Sequence, residues 1–263
     1  MRLIANNLSF KNKYFISAVK AGDKDAISAM ARRLKEAGAD IINVNLSLDG
    51  EGDERYISSV VEAVQEARLP LSIDSRNPDA HLAAVEKAVE RPILNYVSAE
   101  DHRTGDMDEI LKIASYHNSD VVLYALRKGT PADADERLAI ISDLMERANR
   151  AGVSNARMIV DPVILHLGGG IGQEQAVAVQ DSLYGLMDLV EPHIRTTCWL
   201  SNISAGAPRE LRPAINVTFL GMLAGLGLWS AYIDVLDRET MRAVRLIRAL
   251  KNEAVYSLAD AAL

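Results

Sequence analysis

Residues 70–77 read PLSIDSRN. Leu71, Ser72 and Ile73 make a short buried strand, and Asp74 stands where that strand stops. Three residues on, Asn77 and Pro78 open a helix, with Asn77 as its N-cap and Pro78 in the first turn, where a missing N–H is no loss. Asp74 therefore has no capping duty of its own. The same grammar, an apolar run ending in a polar residue, recurs at Val44-Asn45, Leu94-Asn95, Val160-Asp161 and Ser201-Asn202. Five parallel strands in one barrel would bring these five polar ends to a single rim. The carboxyl-terminal rim is where (β/α)8 barrels carry their active sites.

Outward from this unit, strand and helix patterns alternate along the whole chain. Strands are expected at 2–5, 40–46, 71–73, 92–97, 120–126, 158–160, 196–200 and 229–233, the second broken after Asn45 by Ser47 and Gly50. Between them apolar residues recur at helical spacing, first at Ile27, Met30, Ala31 and Leu34. Further helices are expected at 57–67, 77–89 and 108–116, on the face Leu138, Ile141, Leu144, Met145 and Ala148, from the 166–173 loop to about Val190, at 211–226, and through Met241, Val244, Ile247 and Leu250. Eight alternations about 30 residues apart, with no linker, imply a parallel sheet. In a chain of 263 residues they favour a single α/β domain over 1–263, closed into a (β/α)8 barrel. The alternative, an open doubly wound sheet, carries a glycine-rich first turn, whereas 5–12 read ANNLSFKN.

Composition narrows the function. Hydrophobic residues at 49% allow a large core, and a net charge of −7 argues against nucleic acid as a partner. One cysteine, Cys198, excludes an internal disulfide and any cysteine-rich metal site within the chain. It lies inside TTCWL and reads as a buried hydrophobe. The apolar run 220–229 is too short and too glycine-rich to span a membrane, and the N-terminus has no signal-peptide pattern. A cytoplasmic protein is the expectation.

Asn45, Asn95 and Asn202 with Asp74 and Asp161 make a rim of amides and acids. Asparagine alone is common turn chemistry. Five such residues on five strand ends suit a neutral heterocycle with an amino-pyrimidinone edge. An aspartate accepts from a ring N–H and an exocyclic amine together, while amides meet carbonyl and ring nitrogens. HLGGGIGQ at 166–173 fails the G-x-G-x-x-G pattern, since Gln173 falls on the third glycine. It reads as a loop over the barrel mouth. The five histidines show no metal-ligand spacing, and no Ser-His-Asp pattern or carboxylate–histidine cluster marks a metal or nucleophile site.

An ordered set of short segments resembles the pterin-binding barrel family, and within it the methyltetrahydrofolate:corrinoid protein methyltransferases, which include the folate domain of cobalamin-dependent methionine synthase. The set is INVN at 42–45, SIDSRN at 72–77, ILN at 93–95 with Ala99 and Glu100, VDPVIL at 160–165, LSNIS at 200–204 and RPAINVTFL at 212–220. The resemblance implies pterin-ring contacts at Asp74, Asn95 and Asp161. It implies a hydrogen bond from Asn202 near N5, which bears the transferred methyl group, and places Arg212 in a matching loop motif. Asn45 and Asn6 join the expected substrate contacts.

The implied activity moves a methyl group between N5 of tetrahydrofolate (as 5-methyltetrahydrofolate) and the cobalt of a corrinoid, a cobalamin, on a partner protein. A homodimer and no resident metal are implied too. The chain departs from the family where a GERIN-like opening would place an acid and an arginine, here Asn6 and Asn7, and at Asn43, where aspartate is usual. Dihydropteroate synthase is the runner-up. Its N-x-T-P-D-S-F-like first loop is replaced by NNLSFKN, and its strand-7 lysine by Asn202. A catalytically silent folate-binding subunit is the reading from another class.

Overall fold

A computed structural model describes residues 1–46, 53–100, 104–189 and 193–256. Eight parallel strands stand in sequence order around it: β1 (Arg2–Ser9), β2 (Ile41–Asn45), β3 (Leu71–Asp74), β4 (Ile93–Ser98), β5 (Asp120–Tyr124), β6 (Met158–Asp161), β7 (Arg195–Thr196) and β8 (Ser230–Ile233). The hydrogen-bonded order β7-β6-β5-β4-β3-β2-β1-β8 leaves one seam, between β7 and β8. A parallel bridge from Trp199 to Tyr232 crosses that seam, with Tyr232 N donating to the Cys198 carbonyl at 2.8 Å. The result is one (β/α)8 barrel, as the strand count implies. The expected turn at Ser47 and Gly50 lies outside the described residues.

Two elements differ from the sequence reading. The seventh strand, expected over 196–200, pairs regularly only at Arg195 and Thr196, and the chain then tightens into a 3-10 turn at Leu200–Asn202. Between β1 and β2 stand two helices, α1 (Lys13–Ala21) and α2 (Lys24–Glu36), where one was expected. Asn12 caps α1 by accepting from Tyr14 N and Phe15 N, and Gly22 ends it at φ 68. Asp23 then caps α2. The remaining helices follow their strands: α3 (Asp53–Val64), α4 (Pro78–Lys87), α5 (Thr104–Tyr116), α6 (Ala134–Arg150), α7 (Gly172–Leu189), α8 (Arg212–Gly225) and α9 (Arg238–Leu250).

Side-chain alternation along the strands divides the interior in two. One set, including Ile42, Val44, Leu71, Ile73, Leu123, Val160 and Ile233, packs outward with helix residues such as Leu34, Val60, Ile110 and Leu144. The other set faces the barrel axis. Its apolar members Ile4, Ile41, Ile93, Val122, Ile159 and Tyr232 form a separate cluster near the strand starts, each at most 5% exposed. Burial of each such side chain contributes about 1.5–3 kcal/mol. This plug floors the barrel, and polar residues further along the same strands surround the carboxyl-terminal end of the axis, the cup.

Candidate functional site

Register brings three of the expected residues into one row. Asn45 on β2 pairs with Asp74 on β3, and Asp74 pairs with Asn95 on β4. Because paired residues in a parallel ladder project to the same face, all three side chains point into the cup. All three are buried, and Asn45 Nδ2 donates to Asp74 Oδ2. Asn77, not Asp74, caps α4, accepting from Asp79 N at 2.9 Å, with Pro78 at the helix start. Asp74 is thus left to the cup. Asn95 stands third in a six-residue strand rather than at its end, because β4 continues to Ser98 beside Tyr124 after a register irregularity between Leu94 and Val97.

Asp161 closes the opposite side. It ends β6 in register with Tyr124 on β5 and is 0% exposed. Val163 N donates to its Oδ1 at 2.8 Å, from a residue held at φ 66. Burial raises the carboxyl group to a pKa of about 7, against which the Val163 N–H pulls downward. Asp161 therefore holds or releases a proton near neutrality. No helix starts there; α7 begins only at Gly172.

Several polar atoms in this cup have no partner among the described residues. They are both amide atoms of Asn95, Oδ1 of Asn45 and Oδ2 of Asp161. A buried polar group left unsatisfied costs about 1–3 kcal/mol. These groups together offer one amide NH2 and three acceptor oxygens to whatever enters. That suits a flat ring whose edge carries adjacent N–H donors and a carbonyl or ring nitrogen. Among the described residues no cluster of three or more His, Cys, Asp or Glu side chains stands close enough to hold a metal ion.

Aromatic walls complete the cup, and sequence reasoning did not single them out. Tyr96 and Tyr124 lie with ring centroids 4.5 Å apart, and Trp199 stacks on Tyr232 at 4.4 Å. Burial first, and then the Asp161 carboxylate, raises the pKa of Tyr124; Tyr96 and Asp74 add to it. The Tyr232 hydroxyl reaches Ser72 Oγ at 3.0 Å below the Asp74 level. A visible signal existed for Tyr124, a hydroxyl at the end of DVVLY, but tyrosine also belongs among ordinary strand formers.

The remaining expected residues stand outside this set. Asn6 accepts from Asn43 Nδ2 at 3.2 Å inside the barrel. Asn7 is turned to the β8 end, donating to Asp234 Oδ1 at 2.5 Å. Asn202 is half-buried in the 3-10 turn, six residues beyond β7 rather than at the strand's end, and its side chain makes no hydrogen bond among the described residues. Leu167 N donates to the Ile203 carbonyl at 2.9 Å, which ties the 166–173 loop to that turn. Arg212 opens α8 as an exposed side chain and donates to the Ala207 carbonyl at 2.8 Å. Cys198 is wholly buried, and burial raises its thiol pKa well above the usual range, as an inert hydrophobe requires. No helix among the described residues is long and apolar enough to cross a membrane.

Comparison with known proteins bears on this geometry. The model of a family described as pterin binding enzyme matches residues 10–254. The methionine synthase of Mycobacterium tuberculosis is 24% identical over 234 residues, covering 84% of this chain and 19% of that protein. The chain thus spans only 19% of this relative's length. Among solved structures, the dihydropteroate synthase of Xanthomonas albilineans with 4-aminobenzoic acid aligns with a TM-score of 0.70 at 19% identity, over 97% of this chain and 94% of that one. The dihydropteroate synthase of Thermus thermophilus aligns at 0.65 and 20% identity, over 97% and 94%. At such identity these alignments speak for the barrel fold.

Proposed function

The chain belongs to the pterin-binding enzyme family, and from that premise we propose that it transfers a methyl group between N5 of tetrahydrofolate and the cobalt of a corrinoid carried by a separate protein. The observation that carries the reading is the buried set Asn45, Asp74, Asn95 and Asp161, in which the open amide and carboxylate atoms of Asn45, Asn95 and Asp161 match the edge of a pterin ring. Asp74 and Asp161 would accept from ring N–H and amine, and Asn95 would both donate and accept. The methionine synthase relative favours methyl transfer. So does the turn after β7, which presents the neutral amide of Asn202 where the resemblance to dihydropteroate synthase calls for lysine. Pairing of two chains into a homodimer is part of the same proposal.

The chemistry explains the choice of an amide. N5 of methyltetrahydrofolate is a tertiary amine and a poor leaving group. As the methyl group departs to cobalt, the electron pair of the broken C–N bond stays on N5, which takes up a proton from solvent and is stabilised meanwhile by a strong hydrogen bond. Asn202 would donate that bond. In the reverse direction N5 is the nucleophile and gives up its proton to solvent as the new C–N bond forms. General-acid help of this kind is worth about 10²- to 10⁴-fold, and alignment of N5 with the incoming corrinoid adds to it.

The test is single-turnover methyl transfer from methyltetrahydrofolate to reduced cobalamin, followed by the absorbance change of the corrinoid, with an activated pterin and 4-aminobenzoic acid as a parallel arm. Methylation of the corrinoid supports the proposal. Formation of dihydropteroate instead would assign the chain the chemistry named for its solved neighbours. Tight pterin binding with neither reaction would make it a silent folate-binding subunit.

A further inference from the structure

Helix α6 carries a wholly buried arginine, Arg137, at 0% exposure, one turn beyond the Asp133 cap. Among the described residues its guanidinium donates only to neutral acceptors. Nε donates to the Pro162 carbonyl at 2.9 Å, Nη1 to the Asp133 carbonyl at 3.0 Å, and Nη2 to the side-chain carbonyl of Gln175. Gln175 in turn donates to the carbonyls of Pro131 and Ala132, each at 3.0 Å. One buried cation therefore ties the β5–α6 connection and the first turn of α7 to the residue after Asp161.

The contact at Pro162 lies one residue before Val163, whose φ of 66 is a conformation that a β-branched residue adopts only where its surroundings impose it. That conformation aims the Val163 N–H at Asp161 Oδ1, and Oδ2 is left without a partner among the described residues. We propose that Arg137 is a positioning residue: by gripping the Pro162 carbonyl it holds the Val163 turn, which caps one oxygen of Asp161 and leaves the other for the ligand.

The influence runs through the turn rather than through charge. Asp161 is faced by Tyr124 from β5, Cys198 beyond β7 and Tyr232 from β8. Asp74 on β3 and Glu100 just beyond β4 are the other carboxylates that act on Tyr124. Asp133 and Glu136 are the acids that favour the charge on Arg137. Burial and the Val163 N–H are what move the proton affinity of Asp161, in opposite directions. Loosening the turn removes the downward pull.

The experiment uses the full chain with Arg137→Lys, which keeps a cation and gives up the planar fork. Carbon-detected NMR follows the Asp161 carboxyl through a pH series without ligand, the signal being assigned by its loss in Asp161→Asn. The titration midpoint should rise by about one pH unit, the worth of one hydrogen bond to a charged group. Adding Val163→Gly, which takes up a left-handed backbone without strain, should bring the midpoint most of the way back. Affinity for methyltetrahydrofolate, measured by calorimetry, should fall about tenfold and recover in the double variant. Only this affinity arm rests on the pterin reading; a wild-type chain that binds no pterin would refute that reading and leave the titration to decide the role of Arg137. A folded Arg137→Lys protein with an unchanged midpoint overturns the inference, and so does a raised midpoint indifferent to Val163→Gly. Should Arg137→Lys fail to fold, Gln175→Leu removes one of the three acceptors and is read in the same way.

Discussion

Replacing Asp161 with asparagine should make the ligand-free barrel more stable at alkaline pH than the wild type. The carboxyl group is wholly buried, and its pKa rises from 3.8 to about 7 on folding. Below 3.8 it is protonated in both states and costs nothing. Between those values the unfolded chain loses its proton while the folded barrel keeps it, so stability falls as pH rises. Above about 7 both are ionised and the full penalty is present. At 1.36 kcal/mol per pH unit this interval amounts to about 4 kcal/mol. Asparagine preserves an oxygen for the Val163 N–H but brings an amide donor with no partner, a cost of about 1–3 kcal/mol that does not vary with pH. The pH dependence is therefore the clean readout. Urea unfolding of both proteins from about pH 4.5 to about pH 8.5 should show the difference moving in favour of Asp161→Asn by about 3 kcal/mol. A difference constant across that range would refute the argument, because it would mean that Asp161 ionises in the folded chain as easily as in the unfolded one.

Three further outcomes follow from the site. Asp74→Ala removes the acceptor of Asn45 Nδ2 and should weaken methyltetrahydrofolate binding by roughly 30-fold or more while the chain stays folded, as calorimetry beside circular dichroism would read. Asn202→Ala should lower single-turnover methyl transfer by roughly 10²-fold and leave equilibrium affinity for the folate nearly unchanged, since its bond to N5 strengthens only as charge develops. An unchanged rate would leave the mechanism without its donor. At Gly172 a Cβ would run into the carbonyl oxygens of His166 and Leu167. Gly172→Ala should therefore displace the loop bonded to Ile203 and slow transfer to a protein-bound corrinoid more than it weakens folate binding; equal loss of both would make the loop a wall of the pocket.

How much of this was legible in the sequence depended on whether the deciding contact was local. Asp74 was legible because Asn77 and Pro78 supply the cap of α4 within three residues, and Asp161 because Pro162 and the apolar residues after it start no helix. The short α1 left its two punctuation marks, Asn12 and Gly22, in plain view, but its nine residues carry too few apolar turns to stand out. The seventh strand misled for a tertiary reason. The run TTCWL has the composition of a strand, yet Trp199 lies flat on Tyr232 and the chain turns at Leu200, which moves Asn202 off the strand end. Arg137 carried no signal at all, because its partners are carbonyls of other connections that only the closed barrel brings to α6.

The same distinction explains why the site is costly to the fold that holds it. Strand periodicity dictates that Asn45, Asp74, Asn95 and Asp161 face the axis, where Asn45 Nδ2 meets Asp74 and Val163 N meets Asp161 Oδ1 but the other atoms of Asn45, Asn95 and Asp161 are not all matched. Further down the axis most such groups are met: Ser72 meets Tyr232, Ser230 meets Thr197, and Asn43 Nδ2 donates to Asn6 while its Oδ1 stays open. At the level of the row the chain leaves four polar atoms of Asn45, Asn95 and Asp161 open. At about 1–3 kcal/mol each, these groups offset a substantial part of what the isoleucine floor contributes. A ligand with the complementary edge relieves that cost on entering, so affinity and apo-state instability have one source. Substitutions that remove the buried carboxylate, Asp161→Asn first among them, should therefore gain stability in the empty barrel at alkaline pH in step with the binding that they lose.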